Sequence, residues 1–558
     1  MKRIAIGIAA VATVLAVAAC NANPEQSNSS GGNTAASTKG GTLTILSSGT
    51  EMNFDPATSQ SLAITSNGLV NRRLTAWQNG PGQPSKVVSD LATDTGTPSD
   101  GGKTWTYKLK QGLKFDDGTP ITSAAIKYGV ERSFAPELSG GLGYHKGLLI
   151  GGDSYKGPYS GKELDSIETP DDQTIVFKLK VPYGDWPWIV SMPAFAPVEK
   201  SKDTKPAEYG KDPAASGPYK VDSYQQGVQM TLVRNPQWKA STDTARTGGP
   251  DKIIFKLGQD DTVAAQALIG DNGDAKTSFG ADFVPAAQLA QAQNNPQVKD
   301  RLVTSQPGAV NFVAMNTQRG ALKDVKVRQA LQYAIDRKAF IAASGGAISG
   351  SPATTLITPG IEGRQEYDLY PAGDSGNIAK AKQLLKEAGH ASDLSFTLVT
   401  SNTSMSTSQA QAVEQGLERA GVKIKIQSLD SNAVSEKVTG SKGDYDMYLG
   451  SWQPDFPSPN ANIQPLFDSS QIGGGGYNTS RYDNPAVDKA IQQATGEVDQ
   501  AKAQQDWAAI DKQIMQDAPV IPISYAKNSF LRGSDVQNFF IGSFPAYPNY
   551  LKVTLKQQ

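Results

Sequence analysis

Lys114-Phe115-Asp116-Asp117-Gly118-Thr119-Pro120-Ile121-Thr122 reads as a turn that hands the chain to a helix. Asp117-Gly118 is a turn pair, because glycine enters the left-handed backbone region at no steric cost. Thr122 stands as an N-cap before Ser123-Ala124-Ala125-Ile126-Lys127-Tyr128-Gly129-Val130. Upstream, Thr104-Trp105-Thr106-Tyr107-Lys108-Leu109 alternates as a strand does, and so does Gly41-Thr42-Leu43-Thr44-Ile45-Leu46. Downstream, Val327, Leu331, Ala334 and Ile335 fall at helical spacing behind Asp324, a plausible cap. Arg328 and Arg337 on that stretch read as surface or inter-helix salt bridges rather than ligand contacts. Leu384, Leu385 and Ala388 repeat the helical pattern, and Gly389 stops it.

The second half alternates strand and helix. Leu394–Val399 reads as a strand, Ser406–Ala420 as a helix ending at Gly421, and Val422–Ile426 as a strand again. That order predicts a right-handed parallel crossover, hence an α/β fold. Tyr445–Leu449 is the next strand, followed by Gly450-Ser451-Trp452-Gln453-Pro454-Asp455-Phe456. Ligands of open α/β sheets bind beyond the carboxyl ends of the strands, which places Trp452 and Asp455 where a ligand belongs.

Several blocks recur in a familiar order: Lys114–Thr122, Ser216-Gly217-Pro218-Tyr219, Arg234-Asn235-Pro236-Gln237-Trp238, Asp324–Arg337 and Arg481-Tyr482-Asp483-Asn484-Pro485. Together they resemble the solute-binding proteins of bacterial ABC importers, family 5 (cluster C), which holds the oligopeptide-, dipeptide- and nickel-binding types. The resemblance spans roughly residues 41–555. It implies a periplasmic-binding-protein type II fold, with two lobes, a hinge and an extra inserted domain. By the same resemblance, domain I is 41–82, 214–303 and 526–558; domain II, the insert, is 83–213; domain III is 304–525. The function implied is capture of an oligopeptide between the lobes and delivery to a membrane permease, with no catalysis and no cofactor.

The resemblance also implies a site. In peptide binders the Asp of a Gly-x-Trp-x-Ala-Asp motif holds the peptide's α-ammonium, and the adjoining strand bonds its backbone. Gly450, Ser451, Trp452 and Asp455 match it here, with Pro454 in place of Ala and one backbone donor fewer. Asp455 is either that ligand group or a cap of the next turn, and Trp452 is pocket wall or core. Thr50 and Glu51 follow the Thr42–Leu46 strand at its carboxyl end. Glu51 is a second carboxylate for the ligand or a solvated loop charge. Family 5 also carries nickel chelates, haem, opines and oligosaccharides, so a non-peptide solute is the alternative. An exported hydrolase is a remote one. Ser524-Tyr525-Ala526-Lys527 is the one nucleophile-like run, and it has no Lys-Thr-Gly partner.

Composition agrees with a binding protein outside the cytoplasm. Met1-Lys2-Arg3 precedes a 16-residue apolar run, short of the roughly 20 residues a spanning helix needs. Val17-Ala18-Ala19-Cys20 resembles a lipobox, which implies cleavage after residue 19 and a lipid on Cys20. Asn21–Gly40, polar and free of aromatics, reads as a disordered tether. The mature chain then sits on the outer face of the cytoplasmic membrane. Without Lys2 and Arg3 the 53 basic residues become 51 against 54 acidic, a net charge of −3 that argues against nucleic acid. Cys20 is the only cysteine, and His145 and His390 are the only histidines, so a Cys/His zinc set is lacking. The partners expected are a peptide-like solute and ABC permease subunits, with the chain itself a monomer.

Overall fold

The computed structural model describes residues 40–59, 66–138, 140–390 and 394–556. The export signal, Cys20 and the tether up to residue 39 lie outside the described residues.

Among the described residues, three sheets have four or more strands. The first has five strands in the order Ser278–Gly280, Thr42–Leu46, Lys252–Lys256, Gln229–Arg234, Tyr219–Gln225. Thr42–Leu46 runs parallel to both its neighbours, and Ile45 stands opposite Phe255. Its buried face is Leu43, Ile45, Met230, Leu232, Phe255 and Phe279. The second sheet is antiparallel and four-stranded: Thr97–Ser99, Thr104–Lys108, Thr174–Lys178, Ile167–Asp171. Trp105 and Tyr107 alternate inward with Ile175 and Phe177, and Trp186 and Phe195 close that core. The third sheet has six strands in the order Gly350–Pro352, Val520–Ala526, Ala309–Met315, Met447–Trp452, Ser395–Ser401, Lys423–Leu429.

The opening stretch folds as its chemistry dictates. Gly118 has φ +97°, Asp117 accepts the Thr119 N–H at 2.8 Å, and Lys114 bridges Pro120. Thr122 caps helix Ser123–Arg132 by accepting from Ala125 N. The helix buries Ile126 and Val130, and at Gly129 a Cβ would lie 2.2 Å from the Ala196 carbonyl. Only glycine permits that approach. Arg132 at its end is fully buried between Asp55, at 2.6 Å, and Asp203, at 2.8 Å. Losing both carboxylates would leave a buried charge without a partner, a cost of about 3–5 kcal/mol. The Asp55-Pro56 pair thus ties the loop after the first strand to the helix.

Ser395–Ser401 and Lys423–Leu429 pair in parallel through helix Ser404–Arg419, as the crossover pattern required. Asp324 caps helix Val325–Gln332, and Gly389 takes φ +86°. Two readings need correction. Arg328 and Arg337 are buried, and they donate to backbone carbonyls rather than to carboxylates: Arg328 to Leu322 and Asp517, Arg337 to Ala353. A guanidinium with five donors satisfies carbonyls that a helix end and a loop leave unpaired. The strand read as Tyr445–Leu449 is Met447–Trp452, so Gly450, Ser451 and Trp452 lie within it.

Between the first and third sheets, Leu302–Thr304 and Ser529–Leu531 run side by side as an antiparallel pair. Thr304 and Ser529 join their hydroxyls across it at 2.8 Å.

Candidate functional site

Strand Met447–Trp452 lies inside the third sheet with both faces in use. Met447 and Leu449 pack with Val313 and Leu398, while Tyr448 and Trp452 turn to the opposite core beside Phe312 and Leu466. On one edge it pairs with Ala309–Met315 along its whole length, Val310 to Trp452 through Met315 to Met447. On the other edge it pairs with Ser395–Ser401 only at Met447 and Tyr448. From Leu449 to Trp452 that second edge has no strand partner among the described residues. A cavity of about 290 Å³ opens there.

The cavity wall is uncharged and mixes polar with apolar groups. Leu449, Gly450, Ser451 and Trp452 form one side. Helix Ser431–Thr439, capped by Asp430, turns Ser431, Ser435 and Thr439 toward it at intervals of four, with Val434 and Val438 between them. Ser406 and Gln409 come from the first turns of helix Ser404–Arg419, and Ser401 from the end of the parallel neighbour. No Asp, Glu, Lys or Arg lines it. The buried Ser401 hydroxyl has no hydrogen-bond partner, and burial pushes the Tyr448 phenol up. Trp452 commits its indole N–H to the Ala461 carbonyl at 2.8 Å, and its ring meets Tyr477 at 5.2 Å. It is both core and wall.

Asp455 follows the strand but does not line the cavity. It is half-buried, and its Oδ2 accepts from the Tyr144 hydroxyl at 2.6 Å. Burial raises its carboxyl above the ordinary carboxylate value, and the Tyr144 bond pulls the other way. Burial, followed by the Asp455 charge, pushes the Tyr144 phenol far up. Among the described residues no ion pair reaches Asp455. Tyr144 also sets its ring edge-on to Phe456 at 5.5 Å.

Thr50 and Glu51 sit elsewhere. Both are exposed and held to the turn of the first sheet's outer hairpin. The Thr50 carbonyl accepts from Gly227 N at 2.8 Å, and Glu51 accepts from Gln226 Nε2 at 2.6 Å. The structure therefore joins Gly450, Ser451 and Trp452 in one cavity wall, sets Asp455 beside them, and leaves Thr50 and Glu51 apart. Sequence reasoning passed over Tyr144, Ser401 and the Ser431–Thr439 face. The hydroxyls at 431, 435 and 439 were a usable signal, a polar stripe on a helix that begins where a strand ends. Tyr144 carried none.

Residues 86–474 match the family described as Bacterial extracellular solute-binding proteins, family 5 Middle. The chain is similar to the glutathione-binding protein GsiB of Escherichia coli O1:K1 / APEC, with 27% identity over 465 residues, covering 81% of this chain and 84% of that one. Among solved structures it is similar to the clavulanic acid biosynthesis oligopeptide binding protein 2, with 31% identity and a TM-score of 0.87, covering 94% of this chain and 96% of that one. The murein tripeptide binding protein MppA in its unliganded open form shares the fold, with TM-score 0.77 at 22% identity over 94% of this chain and 99% of that one. The unpaired strand edge and its cavity thus lie in a type II periplasmic-binding-protein fold, and the chain belongs to family 5 of the bacterial extracellular solute-binding proteins, which serve ABC importers.

Proposed function

We propose that this protein captures short peptides outside the cytoplasm and passes them to an ABC permease. The observation that carries the reading is the free edge of Met447–Trp452, where Leu449 to Trp452 face a cavity instead of a strand. An extended peptide laid there completes the ladder through backbone hydrogen bonds, whatever its side chains. Asp455 stands at the end of that edge with no cation of its own, and a peptide's α-ammonium supplies one. The relative at 31% identity is itself named an oligopeptide binding protein.

The rest of the reading follows the family plan. Domain I (41–82, 214–303 and 526–558) and domain III (304–525) close on the solute about the strands that join them, with domain II (83–213) as an insert. The protein acts as a monomer, hung from the outer face of the membrane by a lipid on Cys20. It performs no chemistry on its cargo.

The absence of charge on the cavity wall and the Trp452–Tyr477 pair of rings favour a second solute class, oligosaccharides. Native mass spectrometry of gently purified protein, followed by calorimetric titration with tri-alanine and maltotriose, separates the two. Retained peptide mass and tri-alanine binding support the first reading. Maltotriose binding without peptide binding replaces it with the second.

A further inference from the structure

A second polar centre lies between the first sheet and the insert. Arg72, Arg73 and Arg246 crowd around Asp90 and Asp243, all five of them buried. Arg72 takes Asp90 Oδ1 at 2.7 Å and the carbonyls of Asp90 and Thr242. Arg246 takes Asp90 Oδ2 at 2.9 Å and both Asp243 oxygens at 3.2 Å. Burial would raise the Asp90 carboxyl, but Arg246 and Arg72 outweigh it and hold it down to about 2. Those two arginines consume the charge of both carboxylates.

Arg73 is left over. It is 9% exposed, and among the described residues its one side-chain hydrogen bond runs from Nη2 to Asn67 Oδ1 at 3.1 Å. Its Nε is buried with no partner. Among the described residues, no carboxylate lies within ion-pair distance of its guanidinium. Burial, with the Arg246 charge beside it, lowers Arg73 to about 9 against the weaker pull of the Asp90 charge. Nearby, Lys110 and Lys552 also spend their ammonium groups on carbonyls, those of Thr242 and Thr244. The centre is therefore short of negative charge, and an uncompensated buried cation is costly.

Arg73 lines a cavity of about 70 Å³ together with Trp77, Asn79, Leu142 and Tyr547. The Asn79 Oδ1 is buried there without a partner, and a flip of that amide presents two donors in its place. We propose that this cavity is a carboxylate-binding site with Arg73 as its anchor. A guanidinium offers parallel N–H donors that match the two oxygens of a carboxylate. The cavity has room for such a group, and Trp77 and Leu142 provide apolar walls for the carbon that bears it. The carboxylate is either a free small acid or part of the captured solute. Only the second source rests on the peptide reading.

Thermal unfolding in sodium acetate, against sodium chloride at equal ionic strength, tests the free acid. Calorimetry with tri-alanine and its C-terminal amide tests the solute. The proposal expects one of two results in the wild type: an acetate-specific rise in Tm, or a loss of about tenfold for the amide. Either must disappear in Arg73→Gln. An effect that survives in Arg73→Gln, or the lack of both effects in the wild type, overturns the site. If Arg73→Gln does not fold, acetate-soaked wild-type crystals decide: a carboxylate against the Arg73 guanidinium upholds the site, and its absence there overturns it. An acetate effect without any peptide binding would sink the peptide reading and leave this site standing.

Discussion

The Tyr144 hydroxyl and the Asp455 carboxylate meet at 2.6 Å across 311 residues of sequence. The bond brings a short helix, Tyr144–Leu148, onto the end of the site strand and gives Asp455 a neutral donor rather than a cation. A carboxylate so placed is held in position and still short of positive charge.

Asp455→Ala should weaken tri-alanine binding at least tenfold without changing the fold, since removing one member of a buried charge pair costs roughly 2–5 kcal/mol. N-acetylation of the peptide should cause a similar loss in the wild type and little further loss in the mutant. Calorimetric titration of both proteins with both peptides gives the cycle. Additive losses would show that Asp455 does not meet the ammonium.

Tyr144→Phe tests the bond through pH. Burial raises the Asp455 carboxyl, and Tyr144 is the influence that lowers it. The carboxylate is charged above its pKa and loses that charge as pH falls through it. Without Tyr144 the pKa rises further, so affinity for a cationic solute should begin to fall nearer neutrality. Titrations from neutral pH to about pH 4 should show the mutant's midpoint above that of the wild type. Superimposable profiles would remove Asp455 from the binding charge.

Gly450→Val addresses the strand edge. A Cβ at Gly450 would lie 2.4 Å from the Tyr448 ring, so the ring must shift within the cavity wall. Overpacking of this kind costs about 1–3 kcal/mol of stability. Solute affinity should fall at least tenfold as the edge is obstructed, and urea unfolding should still be cooperative. Unchanged affinity in a folded mutant would place the solute elsewhere.

His145 should set the acid limit of stability. It is fully buried, with Nε2 2.7 Å from the Ser133 hydroxyl. Burial, and then the Lys146 charge, holds its pKa down to about 3. The unfolded chain gains that proton near pH 6.5 and the folded chain does not, so stability is lost as pH falls below about 6.5 toward 3. Between about pH 7 and pH 5 the loss from this group is about 2 kcal/mol. His145→Gln should flatten that part of the profile in urea unfolding; an unchanged slope would mean that the ring is protonated in the fold.

Cys20→Ser should release the protein from membranes into the soluble fraction. Two or more acyl chains hold a protein stably, at about 0.8 kcal/mol per buried CH₂. Fractionation that leaves the mutant with the membranes in the wild-type proportion would refute the lipid anchor.

Local chemistry made much of the fold legible. The 114–122 turn, the Thr122 and Asp324 caps and the Gly389 stop are each decided within a few residues, and the structure has each of them. The parallel crossover followed from element order and the handedness of chains. What was misplaced depends on distant partners. The site strand continues to Trp452 because Val310 and Asn311 pair with its end, at Trp452 and Ser451, from far away in sequence. Arg328 looked like a surface charge until the Asp517 carbonyl came to meet it. Tyr144 and Arg73 are the extreme cases. Their neighbours in sequence say nothing of Asp455, or of a cavity closed by Tyr547.

The hydroxyl-lined wall beside Leu449 to Trp452 has a bearing on how the protein behaves as its surroundings change. Attraction between full charges is screened as salt rises, but dipoles and ring faces in contact range are hardly affected. If Asp455 holds a solute's ammonium as proposed, raising ionic strength weakens that contact while hydrogen bonds and ring contacts in the cavity hardly change. On that proposal a charged solute should be held less tightly in brine than in fresh water, with the order of preference among uncharged groups the same in both.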